Sequence, residues 1–363
     1  MKRMIETDLF IDTDRKLAEF LEETSAEPLL ALDTEFVREK TYYPKLCLIQ
    51  IATPVLTICI DCLAPMDLAP LFTALFTNDR TWILHSARQD LEVMYLQDNR
   101  SPVNLIDTQI AAALLGYAPQ IGLQALLAEE LGVELEKEHT RTDWSRRPLP
   151  DGALQYALDD ARYLLPLWRK LEQRLNDLQR GQWLNSDCRV ALDIPPLTPP
   201  VALWSRLRGL QSMEPLQQCA ALAMVGWRER RAQSLDRPRR WIMSDELLTR
   251  IARRLPQDQE SLQSIPEIPR RLADHSGSEI LAELQNCGET DQSALIEKHL
   301  PLERPDKTVL QTLQERVRVR AEELGIQSEV LATRKEMSEF LVGRPSDRIS
   351  AGWRQEELES LLG

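Results

Sequence analysis

The sequence predicts an α/β domain with a mixed sheet, followed by an all-α region. Two observations carry this. Short apolar runs with β-branched residues alternate with helical patterns only in the first half, and a proline-rich break separates that half from one without strand signals. Leu29-Leu30-Ala31-Leu32 leads into Asp33-Thr34-Glu35 as the first strand. Residues 46–52 and 56–60 read as the second and third, bounded by Pro44, by Thr53-Pro54 and by Asp61. A fourth is expected at 82–85. Helical patterns cover 67–77, 88–97, 106–116, 122–131 and 151–176, and Pro166 is expected to kink or break the last of them. Consecutive strands followed by alternating elements give a mixed sheet flanked by helices.

Residues 193–201, DIPPLTPPV, hold four prolines in nine positions, which stops helices and makes a stiff linker. Beyond it, helical patterns fall near 203–209, 215–235, 244–254, 259–263, 267–273 and 276–287. After a polar break at 299–306 they resume at 307–324, 327–331, 334–342 and 354–362. The two sets share a plan, as a diverged internal duplication would. The expected domains are 1–192, a linker at 193–202, and helical domains at 203–291 and 300–363.

The chain has 363 residues and a net charge of −13, concentrated toward the N-terminal end. A site of several carboxylates that binds cations is one source of such acidity. No apolar run approaches the ~20 residues of a membrane span, and the N-terminus lacks the apolar segment of a signal peptide. A cytoplasmic protein without membrane association is expected, and no protein partner is evident. Six cysteines are scattered, and Cys59-Ile-Asp-Cys62 has no second pair or nearby histidines to make a metal site.

The chemistry lies in carboxylates. Asp33 and Glu35, two apart at a strand end, project from one face. Burying them side by side is costly unless a cation sits between. Asp90 begins a helix after the 82–85 strand. Tyr156 and Asp160, four apart, share a helix face, while Asp159 points elsewhere. Each alone has a bland reading: an acidic strand end, a helix cap, a solvated face. Together, four carboxylates and a tyrosine from three segments can bind two divalent ions about 4 Å apart, suited to in-line displacement at phosphorus. Carboxylate oxygens match Mg²⁺ or Mn²⁺.

The order D-x-E, Asp90, Y-x-x-x-D resembles the three exonuclease motifs of the DEDD superfamily, in the subclass with tyrosine; Gln155 stands where histidine would fall in the other. LALDTEFVREKTYYPKLCLIQIA and TDWSRRPL closely resemble the ribonuclease D family, and the likeness runs through almost the whole chain. It implies a ribonuclease H-like α/β exonuclease domain with a mixed sheet. It also implies that Asp33, Glu35, Asp90 and Asp160 ligate the metals and that Tyr156 orients the attacking water. Residues from 202 to 257 resemble an HRDC domain, and 307–363 a second, diverged copy. The implied activity is 3′→5′ removal of nucleoside 5′-monophosphates from RNA, with tRNA precursors the expected substrates.

Further candidates are open to two readings. Phe36 stacks on a terminal base or packs in the core. Arg141, Trp144, Arg146 and Arg147 touch substrate or pack a helix entry. His85 reads as structural, and Gln50 and Tyr43 carry no assigned role. Six arginines and two acids lie between 228 and 240, flanked by Trp227 and Trp241. Arg230, Arg231 and Arg239 among them either contact phosphate or form a solvated face. The competing functions are a 3′→5′ DNA exonuclease of the same chemistry and a non-catalytic nucleic-acid adaptor. The absence of a G-x-x-x-x-G-K-[ST] loop argues against a helicase.

Overall fold

The computed structural model describes residues 10–135, 142–150, 152–287, 293–300 and 305–362. It contains a six-stranded sheet: β1 (Phe10–Ile11), β2 (Leu29–Val37), β3 (Lys45–Ala52), β4 (Thr57–Asp61), β5 (Thr81–Leu84) and β6 (Asn104–Asp107). The order is β1-β4-β3-β2-β5-β6. β3 runs antiparallel to both β2 and β4, whereas β5 and β6 continue from β2 in parallel and β1 runs parallel to β4. The sheet is mixed, as expected. Leu30, Ala31 and Leu32 are fully buried because β2 is central, which is why this run shows no polar alternation.

The four expected strands are present, and β1 and β6 are additional. Residues 104–107, at the front of an expected helix, form β6, and Asp107 then caps the Thr108–Leu114 helix by accepting from the Gln109 and Ile110 amides. Before the proline break, two described helices outside the expected set, Asp14–Glu23 and Gly181–Asp193, also form. The long 151–176 pattern breaks at Tyr163 into Ala153–Arg162 and Leu164–Asp177. Pro166 therefore sits in a first turn, where its missing N–H has no intrahelical acceptor to lose.

The chain folds as two compact units. The first contains the sheet and its helices through Pro196 together with the chain from residue 305 onward; the second contains Arg38–Pro44 and the chain from Leu197. The division between the units falls within the proline-rich stretch, between Pro196 and Leu197, and Pro200 already opens a short helix, Pro200–Trp204, at the position proline favours. The helices Lys307–Leu324, Ser328–Leu331, Arg334–Leu341, Asp347–Ser350 and Gly352–Leu362 share one apolar core with the exonuclease half, through Leu310, Val317, Leu331 and Trp353. Trp353 stacks on Trp183 at 4.2 Å, and Arg354 grips Asp187 with two bonds of 2.5 and 2.7 Å. Gly116 closes the fit: at φ +100°, a Cβ there would meet the Gly325 carbonyl oxygen at 2.6 Å. A cut near Asp193 would strip away this side of the core.

The second unit is all-helical. Its central helix, Pro215–Ser234, is buried along most of its length against Trp204, Leu248, Ile251 and Ile280. The loop Arg38–Pro44 belongs here: the Tyr42 hydroxyl donates to Glu229 at 3.0 Å, and Asp236 accepts from the Tyr42 and Tyr43 amides. Among the described residues, no helix is long and apolar enough to cross a membrane.

Candidate active site

Asp33 and Glu35 project from the same face of β2, two residues apart, at the end that leaves the buried core. A bulge in the β2–β3 pairing follows at once: Glu35 faces Leu48 but Phe36 faces Leu46, so Cys47 is the extra residue. Bulges re-aim the neighbouring side chains. The Ala153–Arg162 helix covers this face of β2, β3 and β4 and delivers Tyr156 and Asp160. One oxygen each from Asp33, Glu35 and Asp160 lies within 4.8 Å of the others. Among the described residues no other group of acidic, histidine or cysteine side chains is so placed, Cys59 and Cys62 included.

Asp90 stands outside that group of three. It is buried near the start of the Arg88–Asp98 helix, and the Thr34 hydroxyl donates to it at 2.5 Å. Its charge is nonetheless felt by both Asp33 and Glu35.

Burial is the largest influence on all four carboxyls; repulsion from the other cluster acids adds to it at Asp33 and Glu35, from Asp107 at Asp90 and from Asp159 at Asp160. Asp33 is held well above the ordinary carboxylate range, Glu35 is pushed up to about 9, Asp160 to about 7 and Asp90 to about 6. Such a set holds protons unless divalent charge replaces them. The donors are all carboxylate oxygens, which fits hard divalent cations. The Tyr156 hydroxyl donates to Asp160, and burial with the neighbouring carboxylates pushes its pKa up, so it remains a phenol.

Behind the tyrosine, Trp144 is 4% exposed and stacks on its ring at 6.3 Å between centroids. Of the two readings open for Trp144, contact with substrate or packing at the helix entry, this geometry favours packing against the tyrosine. Arg147 is likewise engaged within the protein. It donates to both oxygens of buried Asp61, at 2.8 and 2.5 Å, and to the carbonyls of Trp144, Arg146 and Cys47. The latch ties the loop before the tyrosine helix to β3 and β4. Arg146 stays exposed, and Arg141 lies outside the described residues. Phe36 is half-buried against the core. Both ring nitrogens of His85 are engaged, with Thr108 and the Ile121 carbonyl, as a structural histidine requires.

The arginines of the helical unit are more committed than the sequence suggested. Arg230 pairs with Glu283, Arg231 with Glu279 at 4.0 Å, and Arg239 with Glu229 at 3.1 Å. Their charge is therefore partly spent within the unit. Arg228 is buried on Asp245. Trp241 is 59% accessible, with Arg237 5.8 Å from its ring centre. Trp227, by contrast, is core.

Fold and site together define a 3′→5′ exonuclease that carries a helical accessory module. The family model for 3′-5′ exonuclease matches residues 9–176, and that for the HRDC domain matches 220–284. Proteins named Ribonuclease D from Xanthomonas oryzae and Gluconacetobacter diazotrophicus are 36% and 33% identical, over 91% and 96% of this chain and 91% and 90% of theirs. The crystal structure of Escherichia coli RNase D superposes with a TM-score of 0.83 at 28% identity, covering 97% of this chain and 96% of that one. The chain belongs to the ribonuclease D family.

Proposed function

We propose that this enzyme trims RNA 3′ ends one nucleotide at a time, releasing nucleoside 5′-monophosphates, with tRNA precursors as natural substrates and the cytoplasm as its location. The E. coli relative is described as an exoribonuclease involved in structured RNA processing, which supports the substrate class. The observation that carries the reading is the convergence of Asp33, Glu35 and Asp160 within 4.8 Å, with the Tyr156 hydroxyl on Asp160.

In this reading Asp33, Glu35, Asp90 and Asp160 hold two ions, Mg²⁺ or Mn²⁺. When bound, the ions supply Lewis acidity at the scissile phosphate and neutralise charge on the leaving 3′-oxygen. Tyr156 acts as a donor and positions the attacking water, since its phenol keeps its proton. Trp144 fixes the tyrosine ring and the Arg147–Asp61 latch fixes the loop that leads to it. Phe36, just past Glu35, is the side chain on β2 available to the terminal base. In the helical unit, the exposed Trp241 with Arg237 is a better RNA contact than Arg230, Arg231 or Arg239. The helices from Lys307 to Leu362 form a second, diverged HRDC-like module.

Incubation of 5′-labelled RNA and DNA oligonucleotides with Mg²⁺ or Mn²⁺ tests the proposal. A ladder of RNA shortened by single nucleotides is expected. Equal or faster shortening of DNA favours the DNA exonuclease, and internal cuts as first products contradict both.

A further inference from the structure

Gln50 is fully buried in the middle of β3, and neither its side-chain nitrogen nor its oxygen has a hydrogen-bond partner. An amide so placed is costly, and native interiors rarely keep one. Its position is informative. In the sheet register Gln50 lies directly opposite Asp33 on one side and Cys59 on the other. Residues directly opposite in an antiparallel pair share a face, with Cβ atoms roughly 4.5–5.5 Å apart. The amide is therefore on the face of Asp33 and Glu35, beneath the Ala153–Arg162 helix. Its surroundings there are apolar: Leu48 is two residues away on the same strand face, and Cys59, Ala157 and Leu158 belong to the same buried cluster as Leu48. Apolar packing alone would be served better by leucine or methionine at this point.

We propose that Gln50 is a positioning residue for the metal site, its amide nitrogen donating to the Asp33 carboxylate when the ions are bound. The inference rests on the metal-site reading given above. A carboxylate has two oxygens and about four lone-pair positions, so Asp33 can face the ions and still accept from Gln50. Outer hydrogen bonds of this kind fix the orientation of a ligand and raise its affinity. The amide oxygen is left to accept from water held by the ions. Gln50 would thus be satisfied only in the loaded enzyme.

Mn²⁺ binding to the full chain, measured by calorimetry without RNA, is the test, using Gln50→Met and Gln50→Leu with Asp33→Asn as control. Both Gln50 variants should fold and, in chelator, melt no lower than the wild type. Their Mn²⁺ Kd should weaken by about 10–100-fold, and lost turnover should return as Mn²⁺ is raised. A folded variant with wild-type Kd would overturn the inference. So would failure of both to fold, since an amide without a partner cannot be what holds the metal-free protein together. If Asp33→Asn binds Mn²⁺ as the wild type does, the metal-site reading itself falls, and the role of Gln50 with it. Loss of binding in Asp33→Asn alongside an unchanged Gln50→Met removes only the latter.

Discussion

At the scale of single residues, the carboxylate cluster makes two kinds of demand. Catalytically, Asp33→Asn, Glu35→Gln, Asp90→Asn and Asp160→Asn should each lower kcat on the order of 10²–10³-fold or more, because each removes charge from the ion site. Single-turnover assays on folded variants check this. Tyr156→Phe keeps the ring on Trp144 but frees Asp160, and should lower kcat by roughly 10²-fold with KM little changed. An unaltered kcat would reduce Tyr156 to a packing group. Thermodynamically, the same cluster opposes folding at neutral pH. The carboxyls of Glu35, Asp160 and Asp90 titrate near 9, 7 and 6 in the fold, against ordinary values near 4 in the unfolded chain. The folded state binds more protons, so their contribution falls as pH rises from about 4 through these values. Metal-free protein should therefore lose Tm between pH 5 and 9, and Mg²⁺ should restore most at the alkaline end. Melting curves in chelator and in Mg²⁺ across that range would contradict this if the Mg²⁺ increment were the same at every pH.

At the scale of elements, the loop before the Tyr156 helix is held by Arg147, only partly exposed, on Asp61, which is buried. Arg147→Ala leaves that carboxylate unpaired and should cost about 3 kcal/mol of stability, while lowering kcat through a displaced tyrosine. Denaturant melts and kinetics on one preparation would separate the two effects. The elements were unevenly legible in the sequence. β2 to β5 announced themselves as apolar runs with clear breaks, and i, i+2 and i, i+4 spacing put the acids on common faces. β1, at two residues, is too short for periodicity to register, and β6, no shorter than β5, runs directly into the Thr108–Leu114 helix, whose pattern absorbed it. Trp144 and Arg147 stayed open between substrate contact and packing, since a loop has no period from which to read direction. Gln50 carried no signal, because a lone polar residue in an apolar strand becomes telling only once its cross-strand neighbour is Asp33. In the helical unit, charge density overstated free charge: Glu279 and Glu283, some fifty residues on in sequence, neutralise arginines that look unopposed in the run. Trp241→Ala should weaken binding of single-stranded RNA by roughly 10-fold, the worth of one stacked base, and leave mononucleotide release from short oligomers unchanged. Fluorescence anisotropy at fixed salt would show it, and unchanged affinity would remove Trp241 from the RNA path.

At the scale of the molecule, the unit that holds the acids is assembled from separate stretches of chain, with the helical unit's sequence running between them. A protein ending near Asp193 should melt well below the full chain and expose apolar surface to dye, for Trp183 loses its stacking partner and Asp187 its arginine. A Tm equal to that of the full chain would show the shared core to be dispensable. The same arrangement bears on biosynthesis. A ribosome adding about 5–20 residues per second needs roughly 5–20 seconds to pass from the end of the first stretch to the start of the last. Throughout that interval the nascent nuclease presents the seat of Trp353 and Arg354 to solvent. The helix Gly352–Leu362 is translated after the unit's other elements, and its docking supplies the side of the core that the earlier stretch lacks.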